Sequence, residues 1–297
     1  MTDEPPPPKG DKHGVPKRVF ANAKTEAKSA RETIETPQTL DPSYRLAFQD
    51  NDFLLREDLR PVRFQLELLK TQLVMDEANI ASTFVFYGSA RIPEPERAQA
   101  LLDAAKTPQQ KLVAGKLAAN ARFYDEARKL ARIVSQVAPD EDGKRQFVVC
   151  SGGGPSIMEA ANRGAVDVGA ETIGLNIVLP HEQAPNPYVT PRLSLRFHYF
   201  ALRKMHFLLH ARAVAVFPGG FGTFDEFFEL LTLVQTGKVT PLPILLFGRE
   251  FWESVVNWQA LADNGVINPQ DLDLFRYVDS AEEAWAIVRD WYDMGEG

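Results

Sequence analysis

The sequence predicts an α/β fold: a doubly wound, Rossmann-like parallel sheet with helices on both faces and an N-terminal helical extension. Three observations carry that expectation. Short apolar runs alternate with segments of helical periodicity, the pattern of strand and helix units. The runs are continuously apolar, as strands buried on both faces of a parallel sheet must be. Three of them end in glycine-rich turns, YGSAR, SGGGPS and PGGFGT, each leading towards a helix.

Residues 1–40 are rich in Pro, Lys, Glu and Thr and carry few large apolar groups. They cannot bury enough surface to offset the entropy of ordering, so a flexible tail is expected there. Residues 41–80 place Phe53, Leu54, Leu59, Phe64, Leu66, Leu68, Leu69 and Leu73 at roughly helical spacing, which predicts an accessory helical extension. Residues 81–297 are expected to form the Rossmann-like nucleotide-binding domain. Strands are expected at 82–91, 146–155, 171–179, 213–220 and 242–248. Helices are expected at 116–137, 156–168, 200–212, 223–236, 250–263 and 280–290, with a partly helical insertion at 93–112. In such a sheet, ligands collect beyond the carboxyl ends of the strands, where helix N-termini converge.

Composition narrows the function. With 297 residues the chain can bury a sizeable core, and a formal charge of -7 argues against a general nucleic-acid or membrane surface. Cys150 is the only cysteine, which excludes a disulfide framework and a thiolate metal cluster and fits a reducing cytoplasm. The N-terminus has no apolar leader and no apolar run is long enough to span a bilayer, so a soluble, unexported protein is expected. The partner is expected to be a small molecule or a second copy of the chain.

The glycine turns suit a phosphate. Backbone amides stripped of side chains, and the positive end of a helix dipole, would face one crevice. Neither G-x-G-x-x-G nor G-x-x-x-x-G-K-[ST] occurs, which disfavours dinucleotide enzymes and ATPases. Two carboxylates stand at the same edge. Glu159 in S-x-x-E and Glu226 in T-x-x-E both have capping-box spacing, and each can instead reach sugar hydroxyls. In the helix at 200–212, Tyr199, Arg203, His206 and His210 fall on one stripe, with Leu202, Met205, Leu208 and Leu209 leaning towards the core. His206 and His210 lack a third ligand, so no metal is assigned. Lys204 carries no sign of the desolvation a Schiff-base lysine needs.

PGGFGTFDE (218–226), LRKM (202–205), SGGGPSIMEAANRGA (151–165) and YGSAR (87–91) together resemble the Lonely-Guy family of nucleoside 5'-monophosphate phosphoribohydrolases, whose hallmark is PGGxGTxxE. The resemblance covers about residues 80–265, and GGGPSIMEAANRG and LNIVLPHEQAPNPYV are similar to its longer bacterial branch. It implies hydrolysis of the N-glycosidic bond of a nucleoside 5'-monophosphate, AMP or a related nucleotide, to free base and ribose 5-phosphate without a cofactor. The family's catalytic residues would map onto Arg203 and Glu226. Its phosphate and ribose contacts would map onto Gly88, Ser89, Gly152, Gly153, Gly154, Gly219, Gly220, Gly222 and Thr223, with Glu159 and Lys204 as further candidate substrate contacts. Members are commonly dimers, so a homodimer or higher homo-oligomer is expected. Such sequences are often labelled possible lysine decarboxylases, for which the residues give no physical support. The alternative reading is a non-catalytic carrier of a nucleotide or phosphate-bearing cofactor, such as the molybdenum cofactor.

Overall fold

A computed structural model of the chain describes residue 20 and residues 22–180 and 184–295. Half of the predicted tail, residues 1–19 and 21, and residues 181–183 of the LNIVLPHEQAPNPYV segment, lie outside them. The chain divides into two units, up to Leu66 and from Glu67 onward. The first carries the short helices α1 (Ala23–Ser29), α2 (Pro37–Leu40) and α3 (Asn51–Leu54) and the start of α4 (Arg60–Glu77). Asn22, Thr36 and Asp50 cap α1, α2 and α3 through their side chains, satisfying amides that a helix start leaves open.

The second unit is a seven-stranded parallel sheet. Its strands are β1 (Thr83–Tyr87), β2 (Val148–Ser151), β3 (Ile173–Ile177), β4 (Ser194–Phe197), β5 (Ala211–Val216), β6 (Ile244–Phe247) and β7 (Arg276–Val278). Its helices are α5 (Pro95–Ala104), α6 (Pro108–Ala119), α7 (Arg122–Val134), α8 (Ile157–Asp167), α9 (Phe200–Leu209), α10 (Phe221–Gln235), α11 (Arg249–Val255), α12 (Trp258–Asp263) and α13 (Ala281–Trp291). The order β4-β3-β2-β1-β5-β6-β7 makes this the doubly wound α/β sheet that the apolar runs predict. From β1 the chain moves outward through β2 to β4, then returns to β5 on the other side of β1. That reversal opens a crevice at the carboxyl ends of β1 and β5.

Alternation along the central strands separates the two faces. Phe84, Phe86 and Val149 join the buried core with α7, α8 and α13. Tyr87 points the other way and meets Phe207 of α9 edge-on, with ring centroids 5.2 Å apart. Helix α7 buries Phe123, Tyr124, Ala127, Leu130, Ala131 and Val134, an i, i+3, i+4 stripe. It lies close on α8 because Gly164 has no side chain: a Cβ there would stand 2.1 Å from the Arg128 carbonyl oxygen. Arg128 also grips Asp167 with two bonds of 2.6 and 2.9 Å, fixing the helix whose N-terminus follows the SGGGPS turn.

Three expectations change in detail. The helix expected at 116–137 is two helices, α6 and α7, broken at Asn120, and that expected at 250–263 is α11 and α12, broken at Val256 and Asn257. The strands β4 and β7 lack a continuous apolar run: β4 alternates between buried and more exposed positions, as an edge strand can. The apolar side of α9 is also misassigned. Arg203 and His206 are buried with Leu202 and Phe207, while Met205 and Leu209 are exposed. Apolar residues run around much of this helix, so periodicity alone did not orient it; an ion pair and a carbonyl, described below, draw Arg203 inward.

Candidate functional site

Each glycine turn has its own physical reason. After β1, a Cβ on Gly88 would meet Ile157 Cγ2 at 2.5 Å, so Gly88 admits α8. Ser89 ties the turn to its neighbours: its amide donates to Pro218 O at 3.1 Å, and its Oγ accepts from the Arg91 amide at 3.0 Å. After β2, Gly153 takes φ +72, a backbone glycine adopts readily. Its amide donates to Ser151 Oγ at 3.1 Å, and a Cβ on Gly152 would stand 2.6 Å from Arg203 Nη2. Gly154 accepts at its carbonyl from Asn186 Nδ2 at 2.9 Å.

The turn after β5 differs. Gly219 is packed, since a Cβ would meet Thr223 Oγ1 at 2.1 Å, but Gly220 and Gly222 have open space where a Cβ would stand. Helix α10 starts at Phe221 with Gly220 as N-cap and no capping side chain. None of the amides from Gly219 to Thr223 donates a hydrogen bond to a described residue. Uncapped, exposed amides at a helix start are the physical requirement for an anion site. Phe221 itself is 96 % exposed beside them. A paired substitution separates packing from binding. Gly220→Ala should leave the melting temperature unchanged and weaken binding of inorganic phosphate about tenfold, because the added methyl crowds the approach to amides that it leaves in place. Gly219→Ala should instead destabilise the fold by about 1–3 kcal/mol through overpacking, read by urea unfolding.

The capping alternative for the two carboxylates does not occur. Thr223 lies buried inside the first turn of α10, and Ser156, the N-cap of α8, makes no side-chain cap bond. Glu226 instead accepts from Arg203 Nη1 at 3.0 Å, and Arg203 Nε donates to the Leu175 carbonyl at 2.7 Å. Arg203 is 8 % exposed and the Glu226 side chain 14 %. Burial pushes the Glu226 carboxyl up to about 7, against the pull of Arg203. A carboxylate raised by burial beside a fixed cation marks a candidate functional site rather than a surface salt bridge. Cys150 lies in the same neighbourhood, but burial pushes its thiol well up, so it stays protonated and unreactive.

The other predicted residues are placed as follows. Lys204 bonds Asp225 at 3.2 Å and Glu229 at 3.1 Å; burial opposes its charge, but the two carboxylates outweigh it and hold the ammonium above its usual value. Glu159 lines a cavity with Arg91, Ile92 and Tyr124, away from the Arg203–Glu226 pair. Burial lowers His206 to about 4, so it is neutral, and His210 meets Gln72 at 3.3 Å. Among the described residues, no group of three or more His, Cys, Asp or Glu could hold a metal ion, and no helix is long and apolar enough to cross a membrane.

A supporting network was not anticipated. Asn162 Oδ1 accepts from Ser151 Oγ at 2.8 Å and from Asn186 Nδ2 at 2.9 Å, while its Nδ2 donates to Thr172 Oγ1 at 2.6 Å. This buried hub fixes the SGGGPS turn from below. Ser151 and Asn162 lie in the SGGGPSIMEAANRGA motif and Asn186 in LNIVLPHEQAPNPYV, but their pairing with one another and with Thr172 is tertiary.

Residues 158–288 match the family described as "Possible lysine decarboxylase", a stretch that includes Arg203, Glu226 and the PGGFGT turn. No curated protein sequence matches the chain. Among solved structures, TM1055, a structural-genomics target, is 20 % identical over 70 % of this chain and 99 % of its own, with a TM-score of 0.41. The molybdenum cofactor carrier protein of Chlamydomonas reinhardtii is 16 % identical over 71 % of this chain and 99 % of its own, at 0.41. A second structure of that carrier is 15 % identical over 71 % and 98 %, at 0.39. The decarboxylase description finds no support at Lys204, whose raised, ion-paired ammonium is the opposite of a Schiff-base lysine.

Proposed function

We propose that the protein hydrolyses the N-glycosidic bond of a nucleoside 5'-monophosphate, releasing the base and ribose 5-phosphate, as a member of the Lonely-Guy family. The observation that carries this reading is the buried Arg203–Glu226 pair beside the uncapped amides of α10. Glycosidic cleavage develops positive charge on the sugar and negative charge on the departing base. Glu226, as a carboxylate, stabilises the oxocarbenium-like ribose and orients water. Arg203 fixes Glu226 and offers positive charge to the leaving side. The amides of Gly219 to Thr223 hold the phosphate away from the breaking bond, so its binding energy orients the ribose. Thr223, buried against Gly219, shapes that cradle.

Because the carboxylate is the working form, kcat/KM is expected to rise with pH on an acid limb centred near 7, where Glu226 ionises. A pH profile flat from 5.5 to 8 would contradict that assignment. The function itself is tested with AMP and adenosine. Adenine and ribose 5-phosphate are expected from AMP, with adenosine cleaved far more slowly for want of the phosphate. Tight binding of AMP without release of adenine favours the carrier reading instead. A carrier has no need of a buried carboxylate poised near neutrality at the sugar.

A further inference from the structure

A second concave feature has no part in that chemistry. It lies between α5, in the insertion after Ile92, and the start of α8, and none of Arg203, Glu226 or the Gly219–Thr223 turn lines it. Its volume is about 460 Å³, inside the range of small-molecule pockets. One part of its wall is apolar, from Ile92, Pro93, Ala100, Leu101, Ala104 and Pro155. The wall is also tied together: Glu94, at the start of α5, pairs with Arg163 of α8, and Ser156 Oγ donates to the Ile92 carbonyl.

Three polar side chains on the cavity have bonding capacity that the fold does not use. Tyr124 is 2 % exposed, and its hydroxyl has no hydrogen-bond partner among the described residues. Burial, the largest influence, pushes the phenol up to about 12, so it keeps its proton and remains a donor. Arg163, beside it, carries donors only, so the hydroxyl hydrogen finds no acceptor there. A buried donor left without a partner calls for an explanation, and an absent ligand supplies one. Arg91 and Glu159 line the same cavity, and neither joins an ion pair among the described residues. Glu94, by contrast, is engaged by Arg163 and, at 3.9 Å, by Arg97.

The chemistry of these groups narrows the ligand. Tyr124 and Arg91 are donors and call for an anionic acceptor, whereas Glu159 is an acceptor and calls for a cation. A simple anion would gain from Arg91 but be repelled by Glu159 and Glu94; a simple cation would face Arg91 and Arg97. A zwitterion meets both signs at once, and the apolar wall leaves room for a hydrocarbon group. We propose that this cavity binds a free α-amino acid with an apolar side chain, its carboxylate taken by the Arg91 guanidinium and the Tyr124 hydroxyl and its ammonium by Glu159. The site is separate from the Arg203–Glu226 pair and does not depend on the phosphoribohydrolase reading.

The test titrates L-leucine and L-phenylalanine into the purified full-length protein by calorimetry. Each is compared with an analogue lacking the ammonium, 4-methylpentanoate or 3-phenylpropionate, and one lacking the carboxylate, 3-methylbutylamine or 2-phenylethylamine. At least one amino acid is expected to bind, and both of its analogues at least about tenfold more weakly, the scale of one charge-assisted bond. Glu159→Gln and Arg91→Met should each weaken the amino acid about tenfold, and Tyr124→Phe several-fold. The melting temperature should not fall in any of the three, since none of these side chains has a partner among the described residues to lose. Glu226→Gln, at the other site, should leave the affinity within about twofold. Binding of neither amino acid, an affinity unchanged in both Glu159→Gln and Arg91→Met, or an analogue as tight as its parent overturns the site. A tenfold loss in Glu226→Gln would place the ligand at the Arg203–Glu226 pair and overturn it as well.

Discussion

Replacing Glu226 by Gln is expected to slow base release by about 10³-fold or more while leaving nucleotide affinity within about threefold. The carboxamide keeps an acceptor for Arg203 Nη1, so the local geometry survives. What is lost is negative charge at the sugar, and that charge matters chiefly when the ribose becomes cationic. The loss should therefore fall on kcat and not on binding. Activity within about tenfold of the parent would return Glu226 to a structural role.

Replacing Arg203 by Met should destabilise the protein by about 3 kcal/mol at pH 8, because a buried carboxylate is left without its cation. The deficit should shrink at pH 5.5, and the sign follows from proton linkage. The folded-state value of Glu226 lies near 7, above its ordinary 4.5, so the folded protein binds more protons than the unfolded chain between those values. Stability from this group is therefore present at low pH and falls as pH rises towards 7. Arg203 holds the folded value down; without it the value climbs further, and the penalty grows above neutrality. Urea unfolding of parent and variant at pH 5.5 and 8 measures the difference directly. An equal deficit at both pH values would mean that the substitution costs only packing. Turnover should also fall sharply in Arg203→Lys, which keeps the charge but loses the planar fork that bridges Glu226 and the Leu175 carbonyl.

The parts of this architecture that the sequence announces are those whose physics is local. β1, β2, β3, β5 and β6 are buried on both faces, so their apolar runs could be read directly. Gly88, Gly153 and Gly219 each answer a steric demand that only glycine meets easily. What the sequence concealed is set by tertiary partners. The burial of Arg203 depends on Glu226, 23 positions away, and on a carbonyl of β3. The T-x-x-E spacing at Thr223 suggests a cap, but α10 begins two residues earlier at Phe221, which moves Thr223 into the helix and frees Glu226 from capping. Glu159 shows the opposite limit. Its place in the glycine-rich motif is local, whereas the cavity it lines with Tyr124, a residue with no motif around it, is formed only by the fold. The Asn162 hub joins residues from three separate segments, and nothing local in the sequence marks them as partners.

Catalysis is ascribed to a buried acid and its cation acting on a nucleotide held by the α10 amides. The most direct measurement incubates the parent protein and Glu226→Gln with a panel of nucleoside 5'-monophosphates and quantifies free base and ribose 5-phosphate. Equimolar release of both products from at least one nucleotide is expected of the parent, and release near background of the variant. Product formation unaffected by the substitution, or no release from any nucleotide that the parent binds, would contradict that assignment.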